Sequence, residues 1–106
     1  MGVIAETLDG EYAASMFAYV DRGSVAFVDF ALTNPALEGS VRFTALAGCF
    51  RWIKERVKYC KCRYIYTVTK IEKYQSFLEL VGMKECESDM KSYILPLYDQ
   101  DISALI

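Results

Sequence analysis

Histidine is absent from all 106 residues. Its absence removes serine–histidine–aspartate triads, cysteine–histidine nucleophile pairs and Cys2His2 zinc in one step. The four cysteines, Cys49, Cys60, Cys62 and Cys86, include no C-x-x-C pair. Cys60-Lys-Cys62 lacks the spacing of zinc ribbons and redox sites. These thiols are expected as small, reduced core residues, with no metal and no disulfide, which favours an intracellular, cytoplasmic setting. An excess of positive charge is also missing. The net charge is −2, so no global basic field draws the chain to nucleic acid. No stretch approaches the length of a membrane span, and no membrane role is expected. Residues 1–10 hold acids and no apolar run, so no signal peptide is expected there.

What is present is apolar and aromatic. The chain is 54% hydrophobic and 14% aromatic, enough for a packed core and far from the disordered class. Its length suits one domain over residues 1–106. A domain of this size has a marginal surface-to-volume balance, so self-association or a docked partner is expected. Charge is uneven. Arg51, Lys54, Arg56, Lys58, Lys61 and Arg63 crowd one segment, and Glu85, Glu87, Asp89, Asp99 and Asp101 crowd the C-terminal part. The plain reading is a solvated helix face and an acidic tail. The sharper reading is a landing site for phosphate or an acidic surface.

The order of elements follows from periodicity. Residues 11–20 are apolar and aromatic, Asp21-Arg22-Gly23-Ser24 supplies a turn, and residues 25–32 alternate with both faces largely apolar. This predicts a hairpin whose second strand is central in a sheet. Asn34-Pro35 breaks the strand. From 39 to 58, Phe43, Leu46, Ala47, Phe50, Ile53 and Val57 recur at helical spacing. Residues 63–69 form a β-branched and aromatic strand. Residues 71–81 return to helical spacing, and Gly82 sits where a left-handed cap belongs. Residues 83–98 end in a last strand that contains Pro96. A weak extra strand is expected at 3–7. The sum is an α/β fold, β-β-α-β-α-β on a mixed sheet, with a right-handed parallel crossover between strands 25–32 and 63–69. Its core is expected to hold Phe27, Phe30, Leu46, Phe50, Ile53, Ile65, Val68, Phe77, Leu78, Val81, Ile94 and Leu97.

The stretch NPALEGSVRFTALAGCFRWIKERVK, with SFLELVGMK after the next strand, resembles the acyl-CoA-binding half of GNAT-type N-acetyltransferases. The likeness covers about residues 10–98 by order of elements. It implies a GNAT-like core that lacks most of the family's N-terminal lobe, which builds much of the acceptor site. In that family an Arg/Gln-x-x-Gly-x-Gly/Ala turn wraps the cofactor's pyrophosphate at a helix N-terminus, where backbone donors and the helix dipole favour an anion. Here Pro35 matches the family's proline, and Gly39 is the one glycine of the turn. Glu38 takes the cation's place, Val41 and Phe43 take the two glycines' places, and Arg42 offers one compensating charge. The resemblance implies Phe30, Ala31, Leu32, Gly39, Ser40, Val41 and Arg42 as the residues that would hold acetyl-CoA. Leu78 stands where the family often has a tyrosine acid, and leucine donates no proton. Tyr74, one turn earlier, substitutes only if it faces the cleft; otherwise it is a core aromatic. Asp29, flanked by apolar residues, would suit a base with a raised pKa if buried; the favoured reading is that it reaches the sheet edge or pairs with Arg22.

Two functions remain open at this point. The first is a non-catalytic GNAT-like protein that binds a protein partner and needs no cofactor. The eight tyrosines favour it, because tyrosine offers large contact area at low entropic cost. On that reading no residue is catalytic, and the size suits a viral or mobile-element protein acting on host machinery. The second is an acetyl-CoA-dependent N-acetyltransferase acting on a primary amine, since direct transfer needs mainly proximity. Nucleic-acid binding through residues 51–63 is a weaker third.

Overall fold

The computed structural model describes residues 1–20 and 24–86. Four strands and two helices follow in the order β1 (Gly2–Glu6), β2 (Tyr12–Val20), β3 (Val25–Thr33), α1 (Gly39–Tyr59), β4 (Tyr64–Tyr66) and α2 (Glu72–Leu80). The sheet runs β1-β2-β3-β4. β1 with β2 and β2 with β3 are antiparallel, and β3 with β4 is parallel. The predicted mixed sheet and crossover are therefore present, and the extra N-terminal strand is real. The predicted last strand, SYILPLY at the end of 83–98, lies outside the described residues, as do Ile94 and Leu97.

Strand parity decides the core. Ala14, Met16 and Ala18 of β2 and Ala26 and Val28 of β3 face α1 and are buried. Three of these five are alanines, which lets the helix come close to the sheet. From α1, Leu46, Cys49, Phe50, Ile53 and Val57 fill the interface, and Phe77 and Leu78 of α2 close it. Five of the expected core residues are thus buried: Leu46, Phe50, Ile53, Phe77 and Leu78. Ile65 and Val81 pack against the core at its edge. Phe27, Phe30 and Val68 are corrected. They are exposed, because Phe27 and Phe30 point to the sheet face away from the helices and Val68 lies past the end of β4. The sequence expectation ranked strand residues by size, whereas the exposure of these three follows the face or position they occupy.

Both helices end in the same way. At α2, Gly82 (φ 97°) donates to the Glu79 carbonyl and Met83 to that of Leu78. At α1, Lys61 (φ 65°) donates to Lys58 and Cys62 to Val57. These paired bonds are Schellman caps. Gly82 is the glycine expected there. Lys61 holds the same left-handed conformation with a side chain, which is strained by roughly 1 kcal/mol.

Candidate functional site

A cleft opens where β3 and β4 part. Their parallel ladder runs only from Val25–Tyr64 to Phe27–Tyr66. Just past it the Thr67 hydroxyl donates to the Val28 carbonyl at 2.8 Å, so a side chain stands where backbone pairing would continue. β3 then bulges. Between the Phe17–Asp29 and Ser15–Leu32 pairs it carries one residue more than β2, and Phe30 adopts φ 54°. The Asp29 carboxylate accepts the Phe30 N–H at 2.8 Å and holds this unfavourable turn. A bulge of this kind bends a strand and redirects its side chains.

The third wall is the start of α1. Asn34 anchors the chain that leads to it. Its N–H donates to the Ala13 carbonyl at 2.9 Å, its side-chain amide to the Tyr12 carbonyl at 2.9 Å, and its side-chain oxygen accepts the Ala36 N–H at 3.0 Å. Such a turn is what asparagine before proline favours. Glu38 is the N-cap, but no side chain caps the helix and no acid lies in its first turn. Arg42 N–H reaches the Glu38 carbonyl at 3.0 Å. The N–H groups of Gly39, Ser40 and Val41 precede the first helical bonds and face outward. Nothing lies within 4 Å of where a side chain on Gly39 would begin.

The cleft these walls enclose has a volume of about 560 Å³. Asp29, Phe30, Ala31 and Thr33 line it from β3, Gly39, Arg42, Phe43 and Leu46 from α1, and Tyr74 and Phe77 from α2. Phe43 and Phe77 meet edge to face at 5.6 Å, and Tyr74 stacks on Phe77 at 5.8 Å. Two polar atoms here are buried without a well-formed hydrogen bond: the Arg42 Nε and the Tyr74 hydroxyl, which has beside it the Thr67 hydroxyl that donates to Val28. Burial pushes the Tyr74 phenol above its ordinary 10.0, the neighbouring Thr67 hydroxyl draws it back, and the Asp29 charge adds a smaller upward push.

Of the residues expected to hold a cofactor, Phe30, Ala31, Gly39 and Arg42 meet in the cleft. Ser40 and Val41 do not line it, but they carry free donors at its mouth. Leu32 is exposed and pairs with Ser15 away from the cleft. Glu38 is exposed and outside the lining. Phe43 lies beyond the free donors of the helix, so a glycine there would release none. Tyr74 faces the cleft, the condition on which its role depended. Arg22, the other expected partner of Asp29, is outside the described residues. Thr67 gave no signal in the sequence, where it reads as one more β-branched strand residue. Among the described residues no group of acids and thiols could hold a metal ion, and no helix is long and apolar enough to cross a membrane.

No protein-family model matches the chain, and no curated protein does. Solved structures do. Glucosamine-6-phosphate N-acetyltransferase from Arabidopsis thaliana superposes with a TM-score of 0.69 at 15% identity, over 87% of this chain and 66% of that one. An acetyltransferase from Trypanosoma brucei gives 0.62 at 14% identity, over 85% and 65%. The aminoglycoside acetyltransferase AAC(6')-Iy, solved with a CoA-containing bisubstrate analogue, gives 0.60 at 22%, over 90% and 69%. The chain spans about two thirds of the length of the structures it matches. What is shared is the GNAT-type acetyltransferase fold.

Proposed function

We propose that, on this GNAT-type fold, the cleft between β3 and β4 binds an acyl-CoA and that the protein transfers the acyl group to an amine. The observation that carries the reading is the Tyr74 hydroxyl, buried in the cleft wall with the Thr67 hydroxyl beside it but without a well-formed hydrogen bond. A buried hydroxyl left unbonded is destabilising by about 1–3 kcal/mol. Its presence is accounted for if a ligand completes it.

The residues at hand fit such a ligand. The N–H groups of Gly39, Ser40 and Val41, with the half-buried Arg42 guanidinium, would hold the pyrophosphate at the uncapped, electropositive helix end. The bulged backbone at Phe30 and Ala31 would line the pantetheine arm. When bound, the group supplies an activated thioester carbonyl. The Tyr74 oxygen keeps its proton at neutral pH, as a phenol does, burial pushes its pKa further up, and that proton would be available to a departing thiolate. The exposed Asp29 carboxylate stands on the opposite wall and would take up the amine's proton. Phe43, Leu46 and Phe77 exclude water from that end.

The partner-binding reading without transfer draws on a different surface, the apolar sheet face turned away from the helices. One experiment separates the two. Thermal unfolding with millimolar acetyl-CoA should show added stability, about 2.7 kcal/mol at a hundred times the dissociation constant. Arg42→Ala should reduce the gain, and thiol release with a panel of primary amines should follow. No stabilisation at millimolar acetyl-CoA would refute the cleft reading.

A further inference from the structure

Among the described residues, the helices cover one face of the sheet. On the other face, Ile4 of β1, Phe17 and Tyr19 of β2, and Phe27, Phe30 and Leu32 of β3 are each between 42% and 64% exposed. Their registers bring them side by side: Ile4 opposes Ser15, Ser15 opposes Leu32, and Tyr19 opposes Phe27, which in turn opposes Tyr66 on β4. Phe17 meets Phe30 edge to face at 6.2 Å, and Phe27 meets Tyr66 at 5.6 Å. A sheet with one wet face alternates apolar with polar residues. Strands apolar on both sides are the mark of a sheet covered on both.

We infer that this open face is the interface of a homodimer, in which two copies stack their sheets face to face. Area comes first. A fully buried aromatic hides about 150–250 Å², so six large side chains near half exposure offer roughly 600 Å². That is at the upper limit for the largest apolar patch of a monomer, about 300–600 Å². It approaches the roughly 800 Å² per partner of a stable interface. Charge comes second. Asp29, at the cleft end, and Glu6, at the end of β1, are the only charged side chains that β1 to β4 place on this face among the described residues. Among the described strand residues no cation accompanies them there, so these strands favour no charged partner. A two-fold axis near Tyr19 and Phe27 would keep both acids at the rim. Geometry comes third. Stacked sheets interdigitate about 10 Å apart, and rings standing off a sheet supply the knobs. Homodimer interfaces resemble a core cut in half, which is how this face is composed.

The inference does not rest on the cleft reading, and its test contains no CoA. Light scattering or sedimentation of the full chain, across a concentration series, should give twice the 12.1 kDa of one chain. Tyr19→Asp should weaken the dimer at least ~10-fold while circular dichroism and the unfolding of the monomer stay native-like, since Tyr19 is exposed in the single chain. Ile4→Ser, on the neighbouring strand, serves where Tyr19→Asp does not fold, and should weaken the dimer in the same direction. A wild-type mass of 12.1 kDa at every concentration overturns the inference. So does a dimer that survives the substitutions unchanged.

Discussion

Replacing Tyr74 by phenylalanine removes one oxygen and leaves the ring stacked on Phe77 at 5.8 Å. The lost atom is buried and makes no well-formed hydrogen bond. The Thr67 hydroxyl lies close enough to influence its titration, yet donates its own proton to the Val28 carbonyl at 2.8 Å. Deleting an unbonded buried hydroxyl returns part of its desolvation penalty, which is about 1–3 kcal/mol. Because Thr67 is a near neighbour, the lower end applies, and we expect Tyr74→Phe to stabilise the free protein by about 1 kcal/mol. For a domain of this size that raises Tm by roughly 4–8 °C. The same change should slow acyl transfer by about 10²–10⁴-fold if Tyr74 donates the proton.

The two effects have opposite signs, which a purely structural tyrosine would not produce. Alkaline pH supplies a further check. Tyr74 titrates above 10.0 in the folded protein and near it when unfolded. The native state therefore holds its proton longer, and the stabilisation is complete below the unfolded pKa. It is lost as pH rises through the folded value. Wild-type Tm should fall more steeply above pH 10 than that of Tyr74→Phe. Calorimetry at neutral pH and across that range tests both statements. A Tyr74→Phe protein that is less stable than wild type in the absence of ligand would refute the argument, because the hydroxyl would then be bonded.

Phe50→Ala removes a ring buried between α1 and the sheet and edge-on to Phe77 at 6.3 Å; denaturant unfolding should show a loss of about 3–5 kcal/mol. Lys61→Gly relieves a side chain held at φ 65° and should stabilise by about 0.5–1 kcal/mol in the same assay. Glu38→Arg replaces an acid with a cation at the uncapped start of α1. By up to about 1 kcal/mol, or roughly fivefold in dissociation constant, calorimetric titration should show tighter acetyl-CoA binding.

The hairpin, the crossover and both helices are legible because each rests on local signals. Periodicity marks α1, Asn34-Pro35 marks the end of β3, and Gly82 marks the cap of α2. The helix bounds fall within a residue of the spacing on which they were read, 39–58 against Gly39–Tyr59 and 71–81 against Glu72–Leu80. The strand after α1 was read as seven residues and pairs over three. Nothing local says where two parallel strands stop pairing. That point is set by the Thr67 hydroxyl on the Val28 carbonyl, a contact across 39 positions of sequence. The bulge at Phe30 is hidden for the same reason, since it exists only in the register of β3 against β2.

The cleft follows from those two non-local events, so its chemistry could not be read by matching positions to a motif. Val41 and Phe43 stand where glycines are expected, but only residues up to Val41 carry free helix donors. Phe43 instead turns its ring onto Phe77 and forms a wall. Leu78, at the place where the family often has a tyrosine, is buried, and the phenol that lines the cleft is that of Tyr74, one helical turn earlier. A site assembled by strand divergence depends on which side chains face the opening, not on which occupy a particular index. On this geometry a single departure from the glycine pattern remains in the turn, Val41. Its exposed side chain lies outside the lining of the cleft and leaves the open approach at Gly39 in place. On the proposed reading, an anion at this helix start would therefore be governed by the charges of Glu38 and Arg42 more than by the missing glycines.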